Sequence, residues 1–301
     1  MSSPLLSKCS VILPVMQIPA KSLKSGFTMP VFGIGTWKVG GMLTVDTKND
    51  EQDRKGIRIA LELGVTLIDT AELYGAGHAE ELVGAAIKGF DRDKLFIVSK
   101  VFKGNLSYEE VISACHKSLE RLRTDYLDLY LVHAPNPQFP IKETFRALDE
   151  LKEKGLIREI GVSNFTVEEL KEAQSVTKNK IVVNQLHYNL AYQNLQDAVD
   201  YCRENDIMVM AYRPIERGAL IEKEIPVISE MCKKYGKSRP QIVINWLISQ
   251  DIVVISKMSN QSHLMENLKS FDFKMDKEDI ERLRVEIPEI QLPETTIKFN
   301  K

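Results

Sequence analysis

Short apolar runs alternate along this chain with longer stretches in which apolar residues recur three or four positions apart. The runs are Val31–Thr36, Val65–Asp69, Leu95–Ser99, Leu127–Val132, Ile157–Val162, Ile181–Asn184, Met208–Tyr212 and Ile252–Ser256. Each is rich in Val, Ile and Leu and nearly continuous in apolar character, as strands buried on both faces are. Between them, Val111, Cys115, Leu119 and Leu122, and again Leu195, Val199 and Cys202, fall on one face of a helix. Ser107 with Glu110 and Thr166 with Glu169 have the spacing of capping boxes, in which a hydroxyl and a carboxylate each satisfy an unpaired N–H at a helix start. Gly64 and Gly155 stand where helices should stop, because glycine tolerates the left-handed conformation there.

Eight such strand–helix units in 301 residues, with no linker rich in Pro, Gly or Ser between them, predict an α/β protein of one closed (β/α)8 barrel. The alternative is an open, doubly wound sheet. Met16–Pro19 and Phe27–Met29, around Lys24-Ser25-Gly26, read as an N-terminal hairpin before the barrel. Lys223 to Ser249 reads as two helices broken near Gly236 and Pro240, and a further helix is expected over Asp276–Val285. Residues 1–16 read as a loosely attached extension and 17–301 as a single domain.

Composition narrows this picture without deciding it. With 40 Lys+Arg against 42 Asp+Glu, the chain lacks the basic excess of a non-specific nucleic-acid binder. Its 44% hydrophobic and 27% charged residues are ordinary for a globular protein. The four cysteines Cys9, Cys115, Cys202 and Cys232 are dispersed, with no CxxC, which suits a reducing compartment. Val11–Val15, interrupted by Pro14, is too short to span a membrane and lacks the charged start and cleavage site of a signal peptide. A cytoplasmic location is expected, with neither nucleic acid nor membrane as partner. A monomer or small homo-oligomer fits equally.

A barrel carries its functional groups at the carboxyl ends of its strands. The residues there are Thr36-Trp37, Asp69, Lys100, His133, Ser163-Asn164, Asn184-Gln185, Tyr212-Arg213 and Lys257. Singly, Asp69 reads as a cap, Lys100 as solvated and His133 as a core histidine. Polar ends on nearly every apolar strand read as one site. A phenol is a weak acid, with a free pKa of about 10. An ammonium beside it favours the phenolate and lowers that value. Lys100 could therefore activate Tyr74, with Asp69 as the ion-pair partner of Lys100 and with His133 orienting a carbonyl oxygen. That set fits carbonyl reduction with a nicotinamide hydride donor and a small-molecule carbonyl substrate.

No Gly-rich dinucleotide fingerprint accompanies it. Gly33-Ile34-Gly35 lacks the third glycine, and Gly75-Ala76-Gly77 lacks the strand–turn–helix context. The loops after strands seven and eight offer another phosphate site. Arg213 and Arg217 follow strand seven. Lys257, Ser259, Asn260 and His263 follow strand eight, at the start of a helix over about Ser262–Lys269. Tyr212 could stack on the nicotinamide ring, and Ser163, Asn164 and Gln185 could bond its carboxamide.

These residues resemble the aldo-keto reductase family. Leu67 to Gly75 (LIDTAELYG) is similar to the segment around its catalytic Asp and Tyr, and Tyr130 to His133 (YLVH) to the strand ending in its catalytic His. Ile160 to Phe165 (IGVSNF) resembles its nicotinamide-binding strand. Ile255–Asn267, with Lys257, Glu266 and Asn267 in register, resembles its adenosine phosphate loop. The resemblance runs from about Gln17 to the C-terminus. It implies a (β/α)8 barrel with a hairpin across its bottom and two additional helices. It also implies a tetrad of Asp69, Tyr74, Lys100 and His133, and NADP(H) held by the residues above together with Thr36, Trp37 and Ile215. Trp37, Phe102 and Ala134 would line the substrate pocket.

Several positions depart from the family pattern. His263 stands where Arg is common and Met258 where a small residue is, which leaves open whether NAD(H) is also accepted. Arg213 replaces a common Ser. Ala134, the short loop Ala134–Pro140 and the short C-terminal tail imply an open, tolerant pocket. The resemblance implies an NADP(H)-dependent aldo-keto reductase of the alcohol dehydrogenase or carbonyl reductase type. A nicotinamide-binding regulatory or sensor protein on the same barrel is the alternative. A metal-dependent hydrolase using Asp69, His78 and His133 lacks any HxH pair.

Overall fold

The computed structural model describes residues 15–257 and 260–290. Most of the proposed 1–16 extension, with Cys9, therefore lies outside the described residues, as do Met258, Ser259 and the C-terminal tail from 291. Two short strands, β1 (Ala20–Ser22) and β2 (Thr28–Pro30), form an antiparallel hairpin. The first hairpin strand thus starts after Pro19 rather than covering Met16–Pro19. The Met16 N–H is instead donated to the Leu63 carbonyl. The apolar spacing of Met16 and Ile18 reflects packing on the outer core, whereas the true strand is mostly exposed.

The chain then runs β3 (Phe32–Gly35), α1 (Asp50–Glu62), β4 (Leu67–Asp69), α2 (His78–Ala86), β5 (Phe96–Val101), α3 (Tyr108–Leu122), β6 (Leu127–Val132), α4 (Ile141–Glu153), β7 (Ile157–Ser163), α5 (Val167–Val176), β8 (Ile181–His187), α6 (Gln196–Glu204) and β9 (Met208–Tyr212). It continues through α7 (Ala219–Glu222), α8 (Pro226–Tyr235), α9 (Arg239–Ile248), β10 (Val253–Lys257), α10 (Gln261–Leu268) and α11 (Lys277–Glu286). Strands β3 to β10 are parallel neighbours in sequence order, and β10 pairs with β3 to close the barrel. The open-sheet alternative is excluded.

Two apolar cores hold this arrangement. One fills the barrel with Leu67, Val98, Leu129, Leu131, Val183, Met210 and Val253, and Met29 of the hairpin plugs it from below. The other lies between strands and helices and contains the periodic residues Val111, Cys115, Leu119 and Leu122. The hairpin is fastened to the amino end of the barrel by Asp206, just before β9, whose carboxylate accepts from the N–H groups of Lys24 (2.7 Å) and Ser25 (3.0 Å). Those backbone bonds and Lys180 hold that carboxylate down at about 2, well below the usual range, with the Lys180 bond the largest cause.

Both expected capping boxes form, at α3 and α5. Gly64 and Gly155 adopt φ of +96° and +72°, the left-handed geometry required where the chain leaves α1 and α4. Pro240 sits in the first turn of α9 and starts that helix, while Gly236 ends α8. No helix among the described residues is long and apolar enough to cross a membrane.

Candidate active site

The carboxyl ends of the strands surround a cavity of about 540 Å³. Asp69 is the last residue of β4, Lys100 lies near the end of β5, and His133 follows β6. Tyr74 opens a tight turn after β4, which is latched to the loop behind β3 by the Gly75 N–H to the Met42 carbonyl (3.0 Å). Four residues expected from the sequence thus converge, although their elements lie up to sixty-four positions apart (133 − 69).

Lys100 is fully buried, and its ammonium has three acceptors. These are Asp69 Oδ2 at 2.8 Å, the Thr70 carbonyl at 2.9 Å and Tyr74 Oη at 3.2 Å. An ammonium has three N–H groups, so its donors are used up. Because the phenolic oxygen accepts from Lys100, its own hydrogen remains available for donation. Asp69 is steadied from the other side by Gln185 Nε2, which donates to Oδ1 at 2.7 Å. The Tyr74 ring meets Trp37 edge-on at 5.0 Å and His133 at 5.7 Å.

The electrostatics correct one expectation. The Tyr74 phenol is raised well above its ordinary value, not lowered by Lys100. Burial is the largest cause and the Asp69 carboxylate the second, with Arg213 opposing them. The physical reason is pairing: the Lys100 charge is matched by Asp69 at contact distance, so burial of the phenol dominates. Burial also pulls Lys100 below its ordinary value, against the opposing Asp69 carboxylate. His133 is held well below its ordinary value by burial and then by the Lys100 charge, which keeps the imidazole neutral.

Farther along the cavity, a polar chain joins the ends of β7, β8 and β9. Ser163 Oγ donates to the Gln185 carbonyl (3.0 Å), and Asn164 Nδ2 to Ser163 Oγ (3.0 Å) and to the His133 carbonyl (3.1 Å). Tyr212 Oη donates to Asn164 Oδ1 (2.9 Å), which orients the aromatic ring. The opposite end is cationic. Lys257 is pulled below its ordinary value, first by burial and then by the Lys38 ammonium. Arg213 is lowered by burial and by Arg217, and its Nη1 is buried with no hydrogen-bond partner among the described residues. Groups of like charge held together in a partly dry cavity favour an anion between them.

Trp37, Asp69, Tyr74, His133, Ser163, Asn164, Gln185, Tyr212, Arg213, Ile215, Arg217, Lys257, His263, Glu266 and Asn267 all line this cavity. Thr36 does not. Its hydroxyl donates to the Asp69 carbonyl (3.1 Å) and joins two strand ends. Asn260 caps α10 by accepting from the Ser262 N–H (2.6 Å). Phe102 and Ala134, expected in the substrate pocket, are also absent from the lining. The Phe102 N–H is tied to Glu72 Oε1 (2.6 Å), and Ala134 is fully buried behind the rim. Ser259 lies outside the described residues. Both ring nitrogens of His78 face carboxylates, Asp50 at 2.9 Å and Glu81 at 2.6 Å, so His78 joins α1 to α2 rather than facing His133.

The cavity wall also includes Lys38, Ile221, Glu222 and Pro240, which sequence reasoning missed. Lys38 carried a readable signal, a charge three residues past the end of β3. Ile221, Glu222 and Pro240 come from α7 and α9, which no strand-end rule reaches.

The model of the Aldo/keto reductase family matches residues 31–285. The glyoxal reductase of Bacillus subtilis (strain 168) is 37% identical over 265 residues, spanning 87% of this chain and 90% of that protein. Among solved structures, the thermostable aldo-keto reductase Tm1743 in complex with the inhibitor epalrestat superposes with a TM-score of 0.85 at 40% identity, covering 89% of this chain and 99% of that one. The aldo-keto reductase AKR2E5 complexed with NADPH superposes with a TM-score of 0.83 at 29% identity, covering 92% and 90% respectively.

Proposed function

The chain belongs to the aldo/keto reductase family, and from that premise we propose that it reduces small aldehydes and ketones to alcohols with NADPH, using Tyr74 as the proton donor. One observation carries the assignment of roles. The Lys100 ammonium spends an N–H on Tyr74 Oη while Asp69 holds that ammonium in place.

The cavity suits a phosphorylated dinucleotide. Arg213 Nη1 is buried with no hydrogen-bond partner among the described residues, and burial followed by the Lys38 ammonium pulls Lys257 below its ordinary value, which an anion beside it would relieve. In this reading Tyr212, Ser163, Asn164 and Gln185 face the nicotinamide end, and Arg213, Arg217, Lys257 and His263 face the phosphates. When bound, the cofactor supplies the hydride.

The chain's own residues do the proton work. Tyr74, kept neutral by burial, enters the reaction with its proton in place. As charge gathers on the carbonyl oxygen, Tyr74 Oη gives up that proton. The phenolate left behind is stabilised by the Lys100 N–H already aimed at it, an interaction stronger in the transition state than before it. Neutral His133, in the wall of the same cavity, orients the carbonyl oxygen. Trp37 forms the apolar wall beside Tyr74.

The similarity to a glyoxal reductase makes small dicarbonyls the first substrates to try. The test follows cofactor oxidation with purified protein across glyoxal, other aldehydes, ketoacids and sugars, with NADPH and NADH in parallel. Consumption of NADPH with small aldehydes is expected. Tight NADPH binding without turnover on any of them would replace this reading with a sensor or regulatory role. An NADH preference would overturn the cofactor assignment and single out His263.

A further inference from the structure

The loop after β9 is held in a costly backbone conformation. Arg213, Glu216 and Arg217 all have positive φ (58°, 43° and 55°), a conformation that costs a residue with a side chain about 1 kcal/mol or more. Something must hold it. Glu216 is almost fully buried, and its carboxylate accepts from His187 Nε2 and from Asn189 Nδ2 (2.7 Å). A carboxylate only accepts, so the Nε2 of His187 carries the hydrogen. Asn189 Nδ2 also donates to the Arg213 carbonyl (2.9 Å), which fixes the start of the loop.

The same His187 ring lies between two tyrosines. It stacks on Tyr192 at 4.1 Å with 9° between planes and on Tyr212 at 5.3 Å with 18°. Tyr212 is held at its other end by Asn164. One imidazole therefore touches both halves of the cavity. Its face backs the Tyr212 ring, and its edge anchors the loop that carries Arg213 and Arg217.

We propose that His187 and Glu216 are positioning residues for the cofactor, joining the Tyr212 stacking platform and the Arg213–Arg217 loop into one preformed unit. Neither residue is among those lining the cavity, so each acts through a neighbour. Preformation removes an ordering cost that a loose loop and a loose ring would otherwise charge against binding. The proposal rests on the nicotinamide reading above.

Titrating NADPH into wild-type protein and into H187L, which loses both the stack and the donor, tests it. The dissociation constant should rise at least about tenfold, while kcat at saturating NADPH stays close to wild type. H187F keeps the stack and H187Q keeps the donor, and each should recover part of the lost affinity. E216Q should weaken binding in the same direction. If H187L does not fold, H187F and H187Q carry the test, since each still lacks one of the two contacts. Unchanged NADPH affinity in H187L, or in both of the milder variants, overturns the proposal while leaving the reductase reading intact. A wild-type chain that binds no NADPH overturns both.

Discussion

The two ends of the barrel each bury an aspartate, and the cations they pair with differ. At the amino end, Asp128 near the start of β6 is 4% exposed and meets Arg92 at 2.8 Å and Arg158 at 3.1 Å. Those arginine side chains remain 21% and 50% exposed, and both lie over the Tyr126 ring at 3.9 Å. Asp128 also accepts from the Ile97 N–H (2.9 Å). At the carboxyl end, Asp69 is 3% exposed and its partner Lys100 is 0% exposed. Water can thus help solvate the cations of the lower cluster, which ties strands together. The upper cation is sealed in, and its third N–H goes to a phenol facing a cavity. A buried cation is costly to keep dry. Here it is set where charge is expected to develop during a reaction.

The largest contrast between the ends should come from Y74F, which keeps the ring and removes the proton. We expect kcat to fall about 10²–10⁴-fold with cofactor binding retained, measured by steady-state reduction and NADPH titration. Full activity in this variant would reduce the upper cluster to a structural one. K100M should come next, because it leaves Asp69 buried without its cation. A stability loss of about 3–5 kcal/mol is expected in denaturant unfolding, along with strongly reduced turnover. D128A should lower stability by about 1–3 kcal/mol through the unpaired groups it leaves, yet leave kcat/KM near wild type. A fall in kcat/KM comparable to that of K100M would erase the distinction between the two ends.

The smallest effect is a pH dependence at the upper end. The folded state holds His133 below its unfolded value of about 6.5, so this group's contribution to stability is complete above that pH. It is lost as pH falls through the folded-state value, since protonation then favours the unfolded chain. Thermal melts across that acid range should show a shallower decline in H133Q than in wild type. Parallel declines would place the acid sensitivity elsewhere.

Most of the barrel is legible in the chain itself. A strand buried on both faces has to be apolar, so β6 and β9 begin and end where their Val, Leu and Met runs do. The hairpin strand β1 is not legible in the same way, because Ala20, Lys21 and Ser22 carry almost no apolar signal. The third capping box, in which Gln241 Oε1 accepts from the Ser238 N–H, sits beneath Pro240, which reads from sequence as a break. The tetrad was readable because polar residues at the ends of apolar strands stand out. His187, Asn189 and Glu216 were not, since one histidine, one amide and one carboxylate up to twenty-nine positions apart (216 − 187) have no common periodicity.

The order of apolar runs determined the barrel, and the residue types at their ends determined which side chains could do chemistry. Tertiary structure decided the state of those groups. Lys100 next to Tyr74 suggested an acidified phenol, yet Asp69 neutralises the ammonium and burial raises the phenol instead. Sequence records which charges exist. Their effect on a neighbour depends on distance, on what else is paired with them and on how much water remains, and only the folded chain sets those three.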